Sequence, residues 1–184
     1  MSARTLWLLR HAKTVADPPD GGSDFDRILA PRGRRDATAL SHLFGTDGRG
    51  LGLGEVPLPQ IALVSPAARA VATADLALAE LAAPPARHLV PDFYSAGPEE
   101  VLDHLRTLPD DVTSVMVVGH NPTAQALSLG LISRSDKKGH DLAVRRGFPT
   151  CALGVYTFRL KAWADVGSHT ARLAGLFIPP FKAP

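Results

Sequence analysis

Short apolar runs rich in branched residues alternate along the chain with longer stretches whose apolar residues recur at helical spacing. The runs TLWLLR (5–10), IALVS (61–65), RHLVP (87–91), SVMVVG (114–119), ALGVYTF (152–158) and ARLAGLFI (171–178) predict strands. Helices are predicted over 31–44, 66–83, 98–107 and 122–132. Pro31, Pro66, Pro98 and Pro122 suit a first helical turn, where a missing N–H costs little, and Asn121 is a good N-cap. Helical segments are available to connect the first four strands, which favours parallel pairing. The last two are separated by RLKAWADVGSHT, with no helical pattern, and so read as an antiparallel pair at one side of the sheet. The pattern is that of an α/β layer fold, a mostly parallel sheet with antiparallel strands near the C-terminus. Residues 16–27 and 45–60 are turn-rich and read as exposed loops. No internal repeat or linker divides the chain, so residues 1–184 are expected to form one domain.

Composition narrows the function classes. With 45% hydrophobic and 21% charged residues, disorder is excluded and a sizeable core is expected. Twenty Lys and Arg against eighteen Asp and Glu leave a formal charge of +2, which lacks the basic excess of a protein that coats nucleic acid. Electrostatic recognition must therefore be local, and no nucleic-acid partner is expected. The single cysteine, Cys151, has no second cysteine for a bridge and no metal-ligand neighbour, and reads as a small buried residue. The apolar stretch before Arg10 is too short for a signal peptide and no run is long enough to span a bilayer. A cytoplasmic protein with no membrane partner is the expectation. The excess of Arg over Lys and the abundance of Ala suggest a GC-rich bacterial genome.

In an open α/β sheet the ligand site lies beyond the carboxyl ends of the strands. Arg10 and His11 follow the first predicted strand, Arg69 lies on the opening turn of the helix after the second, and His120 follows the fourth. Two arginines, two histidines and a helix start describe a pocket for a phosphoryl group. Guanidinium groups match its oxygens bidentately, and helix-terminal N–H groups add donors. A neutral imidazole adds what a plain anion site lacks, a nucleophile that can carry the phosphoryl group covalently. His11 is the candidate nucleophile, with His120, Arg10 and Arg69 holding the charge that spreads over the equatorial oxygens. Lys13 and Asn121 are candidate substrate-binding residues. The segment 133–147 clusters Arg134, Lys137, Lys138, Arg145 and Arg146 and is expected to flank the pocket mouth and attract acidic substrates. His42, His88, His104, His140 and His169 share no spacing and read as ordinary residues.

The segments LLRHAKT (8–14), VSPAARAVATA (64–74) and VVGHNPTAQAL (117–127) together resemble, in order and spacing, the three signature segments of the histidine phosphatase (phosphoglycerate mutase-like) superfamily. RHAK, DRILAPRGRRDA (26–37) and FPTCALGVYTF (148–158) are most similar to the SixA-type phosphohistidine phosphatases. The resemblance runs through nearly the whole chain. It implies a doubly wound three-layer sandwich and assigns His11 as phosphoryl acceptor, with Arg10, Arg69 and His120 completing the pocket. It also implies that no metal or organic cofactor is required. Where the mutase branch has Gly after the nucleophilic histidine this chain has Ala12, and PDFYSAGPEE (91–100) offers no clear equivalent of that branch's glutamate acid. Asp92 is the nearest candidate proton donor, ahead of Glu99 and Glu100. Ile28 and Ala30 stand where relatives often carry Pro and Thr, which removes a helix cap.

A weak acid favours a leaving group that departs neutral, as imidazole does from a phosphoramidate, over an alkoxide. The preferred expectation is thus a phosphatase acting through a phosphohistidine intermediate on a phosphorylated partner, a phosphohistidine-bearing protein. A small-molecule phosphomonoesterase for a sugar or nucleoside phosphate is the alternative, and a non-catalytic phosphate-recognition module the second.

Overall fold

A computed structural model describes residues 2–45, 47 and 49–181. Positions 46 and 48 of the predicted 45–60 loop lie outside the described residues. Six strands form one sheet: β1 (Ser2–Arg10), β2 (Ile61–Val64), β3 (Ala86–Leu89), β4 (Ser114–Gly119), β5 (Leu153–Leu160) and β6 (Ala171–Phe177). Their order is β3-β2-β4-β1-β5-β6. The first four strands are mutually parallel, and β5 runs antiparallel to both β1 and β6. The mostly parallel sheet with an antiparallel pair on one side is thus the fold that the pattern and the resemblance predicted.

The central strands are apolar on both faces because both are covered, as parallel sheets require. In β1, Leu6 and Leu8 point to one face and Trp7 and Leu9 to the other, by the two-residue period of a strand. On the Trp7 face lie α1 (Pro31–Phe44) and α2 (Ala68–Ala77), contributing Ala37, Leu40, Phe44, Ala70 and Ala74. On the Leu6 face lie α3 (Pro98–Arg106) and α4 (Thr123–Gly130), with Val101, Leu105, Ala124 and Leu127. The result is a three-layer sandwich.

Pro31 and Pro98 occupy the first turns of α1 and α3. Pro66 and Pro122 fall just outside α2 and α4, and both helices are shorter than the sequence suggested. Ala30, the N-cap of α1, makes no side-chain cap, as expected where threonine is missing. The segment 133–147, for which the pattern predicts no helix, contains one. Here α5 (Lys137–Arg146) starts where Asp136 accepts from the Gly139 N–H and ends at Gly147, with φ of 61°. It buries only Gly139 and Ala143, so its sequence carries almost no apolar period to read. Asp136 and Gly147 are of the residue types that start and stop helices.

Candidate active site

The chain leaves β1 for α1 on one face and leaves the adjacent β4 for α4 on the other. That divergence opens a crevice at the carboxyl ends of two neighbouring strands, the topological switch point where such sheets bind ligands. His11 emerges from β1, its backbone N–H donating to Gly119 O at 3.0 Å, and His120 emerges from β4. The two rings lie 5.1 Å apart between centroids and are tilted by 50°.

The loop after β1 is built to hold His11 still. Ala12, fully buried, donates its N–H to Thr73 Oγ1 at 2.9 Å, and that hydroxyl donates to Arg69 O. The Cys151 N–H donates to His11 O at 3.1 Å from the far side. Gly33 of α1 packs so closely on Lys13 that a Cβ there would overlap the Lys13 carbonyl oxygen. Within the ring, Nδ1 lies 2.8 Å from Ala12 O. A carbonyl can only accept, so Nδ1 carries the proton and Nε2 keeps its lone pair.

His120 places Nε2 2.7 Å from Ser65 Oγ, while its Nδ1 is buried and unpartnered among the described residues. Burial is the largest cause holding both histidines neutral. His11 is pushed down to about 3, with His120, Arg69 and Arg10 adding to the effect and the Ala12 carbonyl opposing it. His120 is pushed down to about 4, with Arg69 and Arg10 adding to burial and Asp24 opposing.

Arg10 donates through Nη1 to Phe148 O at 3.0 Å, and its buried Nε has no partner among the described residues. Arg69 is buried and donates to Asp24 twice, from Nη1 to the main-chain oxygen at 2.6 Å and from Nη2 to Oδ2 at 3.0 Å. Tyr94 joins these groups. Its hydroxyl donates to Asp24 Oδ2 at 3.1 Å, its ring lies 5.8 Å from the Arg69 guanidinium carbon, and it meets the His120 ring edge-on at 6.0 Å. Arg27 is the main cause holding the Asp24 carboxyl below the ordinary carboxylate range, with Arg69 and Tyr94 adding to it.

His11, Arg10, Arg69 and His120 are therefore brought together from three separate segments. Lys13 is placed next to them, but its side chain is exposed and makes no hydrogen bond or ion pair among the described residues. Asn121 is spent on structure: Nδ2 donates to Phe148 O at 3.1 Å, and Oδ1 accepts from the Gln125 N–H, which caps α4. Asp92 is not brought to the cluster. Its exposed carboxylate lies 3.3 Å from His104 Nε2, on the side of α3. Asp24, Tyr94 and Ser65 were missed in the sequence. Asp24 and Tyr94 sit in segments without periodicity, and Ser65 was visible as the residue ending β2. Cys151 is fully buried as expected, and burial pushes its thiol up, out of the reactive range.

No family model matches the chain. An uncharacterized protein of Mycobacterium tuberculosis is 39% identical over 176 residues, covering 93% of this chain and 99% of that protein. Two solved structures extend the likeness. A candidate phosphohistidine phosphatase SixA from Nakamurella multipartitia superposes with a TM-score of 0.77 at 29% identity, covering 98% of this chain and 99% of that one. A second, from Agrobacterium tumefaciens, gives a TM-score of 0.73 at 28% identity, covering 96% and 98%. The likeness to these SixA structures over nearly the whole length of each places the chain in the histidine phosphatase (phosphoglycerate mutase-like) superfamily, as a phosphatase of SixA-like fold.

Proposed function

We propose that this phosphatase hydrolyses protein phosphohistidine through a phosphorylated His11. The observation that carries the choice of substrate is the state of Asp24. Among the described residues it is the carboxylate that touches the cluster, and its pairing with Arg27, Arg69 and Tyr94 keeps it ionised. A carboxylate held in that form has no proton to give a departing alkoxide. A phosphohistidine needs none, because its imidazole, protonated on the other ring nitrogen, leaves as a neutral molecule.

The reaction then runs in two displacements. His11 Nε2 attacks phosphorus, a new P–N bond forms, and the P–N bond of the substrate breaks as its imidazole departs. The proton stays on His11 Nδ1, hydrogen-bonded to the Ala12 carbonyl throughout, so the phosphorylated ring is the cationic form that leaves phosphorus easily. Water next attacks phosphorus, the bond to Nε2 breaks, His11 returns to its neutral tautomer, and the water proton leaves with orthophosphate. Arg10 and Arg69 hold the equatorial oxygens. With Nε2 occupied by Ser65, Nδ1 is the nitrogen of His120 free to donate to one of them, the preorganised stabilisation that dominates phosphoryl transfer. His11, Arg10, Arg69 and His120 are the catalytic residues in this reading, and it asks for no metal or organic cofactor.

The test is phosphate release by the wild type and by His11→Ala on a phosphohistidine-bearing phosphotransfer domain and on a panel of sugar and nucleoside phosphates. Preference for the phosphoprotein, lost in the variant, supports the reading. Preference for one ester overturns it in favour of a phosphomonoesterase.

A further inference from the structure

The surface of residues 134–146 carries five cationic side chains, Arg134, Lys137, Lys138, Arg145 and Arg146, against the carboxylates of Asp136 and Asp141. That excess is larger than the formal net charge of +2 of the entire chain. All five cations are exposed, and none makes a side-chain hydrogen bond or ion pair among the described residues. Asp136 is already engaged, accepting from the N–H groups of Gly139 and Leu173. The arginines at 4, 27, 69, 87 and 106, by contrast, are paired with carboxylates elsewhere in the fold. Charge left unpaired in one stripe is charge available to a partner.

The stripe has a direction. At its carboxyl end, Arg145 and Arg146 run through Gly147 into Phe148, whose carbonyl receives both Arg10 Nη1 and Asn121 Nδ2. It therefore begins at the rim of the active site and extends along α5 for about 15 Å, the length of ten helical residues. At its amino end lies a cavity of about 300 Å³ whose lining includes Arg134, Lys137, His140, Asp141 and His169. His169 is held there at a φ of 62°, which a residue with a side chain adopts only under constraint. Its N–H donates to Gly130 O at 2.8 Å, and its Nδ1 lies 3.1 Å from Ile132 O, so Nδ1 bears the proton and Nε2 is left unbonded. Near the carboxyl end of the helix, beside Arg145, Val144 is 56% exposed on the same face. The stripe has no aromatic Phe, Tyr or Trp on which a nucleobase could stack.

We propose that the face from Arg134 to Arg146, with the cavity at its amino end, docks an acidic surface of the protein whose phosphorylated residue enters the active site. The proposal rests on the phosphoprotein reading above and adds to it a recognition surface outside the catalytic pocket. The cations steer the partner and lengthen its stay, and the pocket alone acts on whatever phosphoryl group it receives.

The experiment compares the wild type with Lys137→Glu/Lys138→Glu and Lys137→Gln/Lys138→Gln on two substrates: a phosphohistidine-bearing domain with an acidic surface, and the small phosphoramidate ion. At low salt the charge reversal is expected to raise KM for the protein roughly tenfold, the neutral pair less, and the gap is expected to close at high salt. Turnover of phosphoramidate should not change, and equal melting temperatures show that the exposed substitutions leave the fold intact. Unchanged KM for the protein at low salt overturns the docking surface while the phosphoprotein reading stands. A wild type that releases phosphate from phosphoramidate but not from the protein overturns that reading and the docking surface with it. Single-stranded DNA that competes as strongly as an acidic protein would assign the face to nucleic acid and overturn the proposal.

Discussion

Ser65→Ala isolates the tautomer of His120. Ser65 is fully buried, its hydroxyl lies 2.7 Å from His120 Nε2, and the Ala67 N–H points at the same oxygen from 3.5 Å. A hydroxyl that accepts from a backbone N–H is free to donate its own proton to Nε2, which leaves the imidazole proton on Nδ1, where a phosphoryl oxygen can receive it. Removing the hydroxyl leaves Nε2 buried without a partner, a cost of about 1–3 kcal/mol. It also removes the preference for the Nδ1–H tautomer. Complete loss of one such donor to a transition state is worth about 2.7–4 kcal/mol, or roughly 10²- to 10³-fold in rate. Partial loss of the tautomer therefore predicts a fall in kcat of roughly 10- to 100-fold, with KM changed by less than about threefold, because the interaction is made chiefly in the transition state. The assay is steady-state phosphate release by wild type, Ser65→Ala, His120→Ala and the double variant. The double variant should be no worse than His120→Ala alone, since the serine acts through the histidine. A Ser65→Ala enzyme within about twofold of wild type, or one that loses as much again in the His120→Ala background, refutes the reasoning.

Four further outcomes follow from the same geometry. Gly33→Ala drives a Cβ into the Lys13 carbonyl and must displace either α1 or the His11 loop; it should cost about 2–4 kcal/mol in urea denaturation and most of the activity, whereas the same change at the open Gly167 should be tolerated. Folded-state values of about 3 for His11 and about 4 for His120, against about 6.5 unfolded, mean that the unfolded chain binds more protons between those limits. Stability should therefore be flat above about pH 6.5 and fall as the pH drops towards 4, with a weaker fall in His11→Ala, as urea midpoints across that window would register. Asp24→Asn keeps the main-chain bond to Arg69 but removes a negative charge from an anion pocket. Inhibition by orthophosphate should tighten several-fold, by about 1 kcal/mol of Coulomb energy, in a competitive assay. Arg4, buried beneath Trp163 and donating to Val112 O, Lys161 O and Asp110, should cost about 3 kcal/mol when replaced by alanine, measured by the denaturation midpoint with activity per folded molecule unchanged.

The strands were legible because their apolar runs are short and bounded by turn residues, and the antiparallel β5 and β6 because no helical pattern joins them. His11, Arg10, Arg69 and His120 are legible for a topological reason: each lies at or beyond the carboxyl end of a strand, and parallel topology gathers those ends at one edge. What escaped was carried by contacts rather than by period. Asp24 reaches Arg69 across 45 residues of chain and Tyr94 reaches Asp24 across 70, distances over which no local spacing rule operates. Asp92 is an acidic residue beyond β3, yet the turn at Pro91–Tyr94 aims it towards His104 and aims Tyr94 at the pocket instead. Helix α5 carries no readable period because its buried face offers only Gly139 and Ala143.

In the proposed reaction the phosphoryl group passes through His11. Rapid quenching in alkali during turnover of a phosphohistidine-bearing protein, followed by mass spectrometry of the enzyme, reads this directly. Acid-labile phosphate is expected on His11, absent from His11→Ala and retained, at slower turnover, in His120→Ala. Turnover with no phosphoenzyme, or with the label on His120, would contradict it.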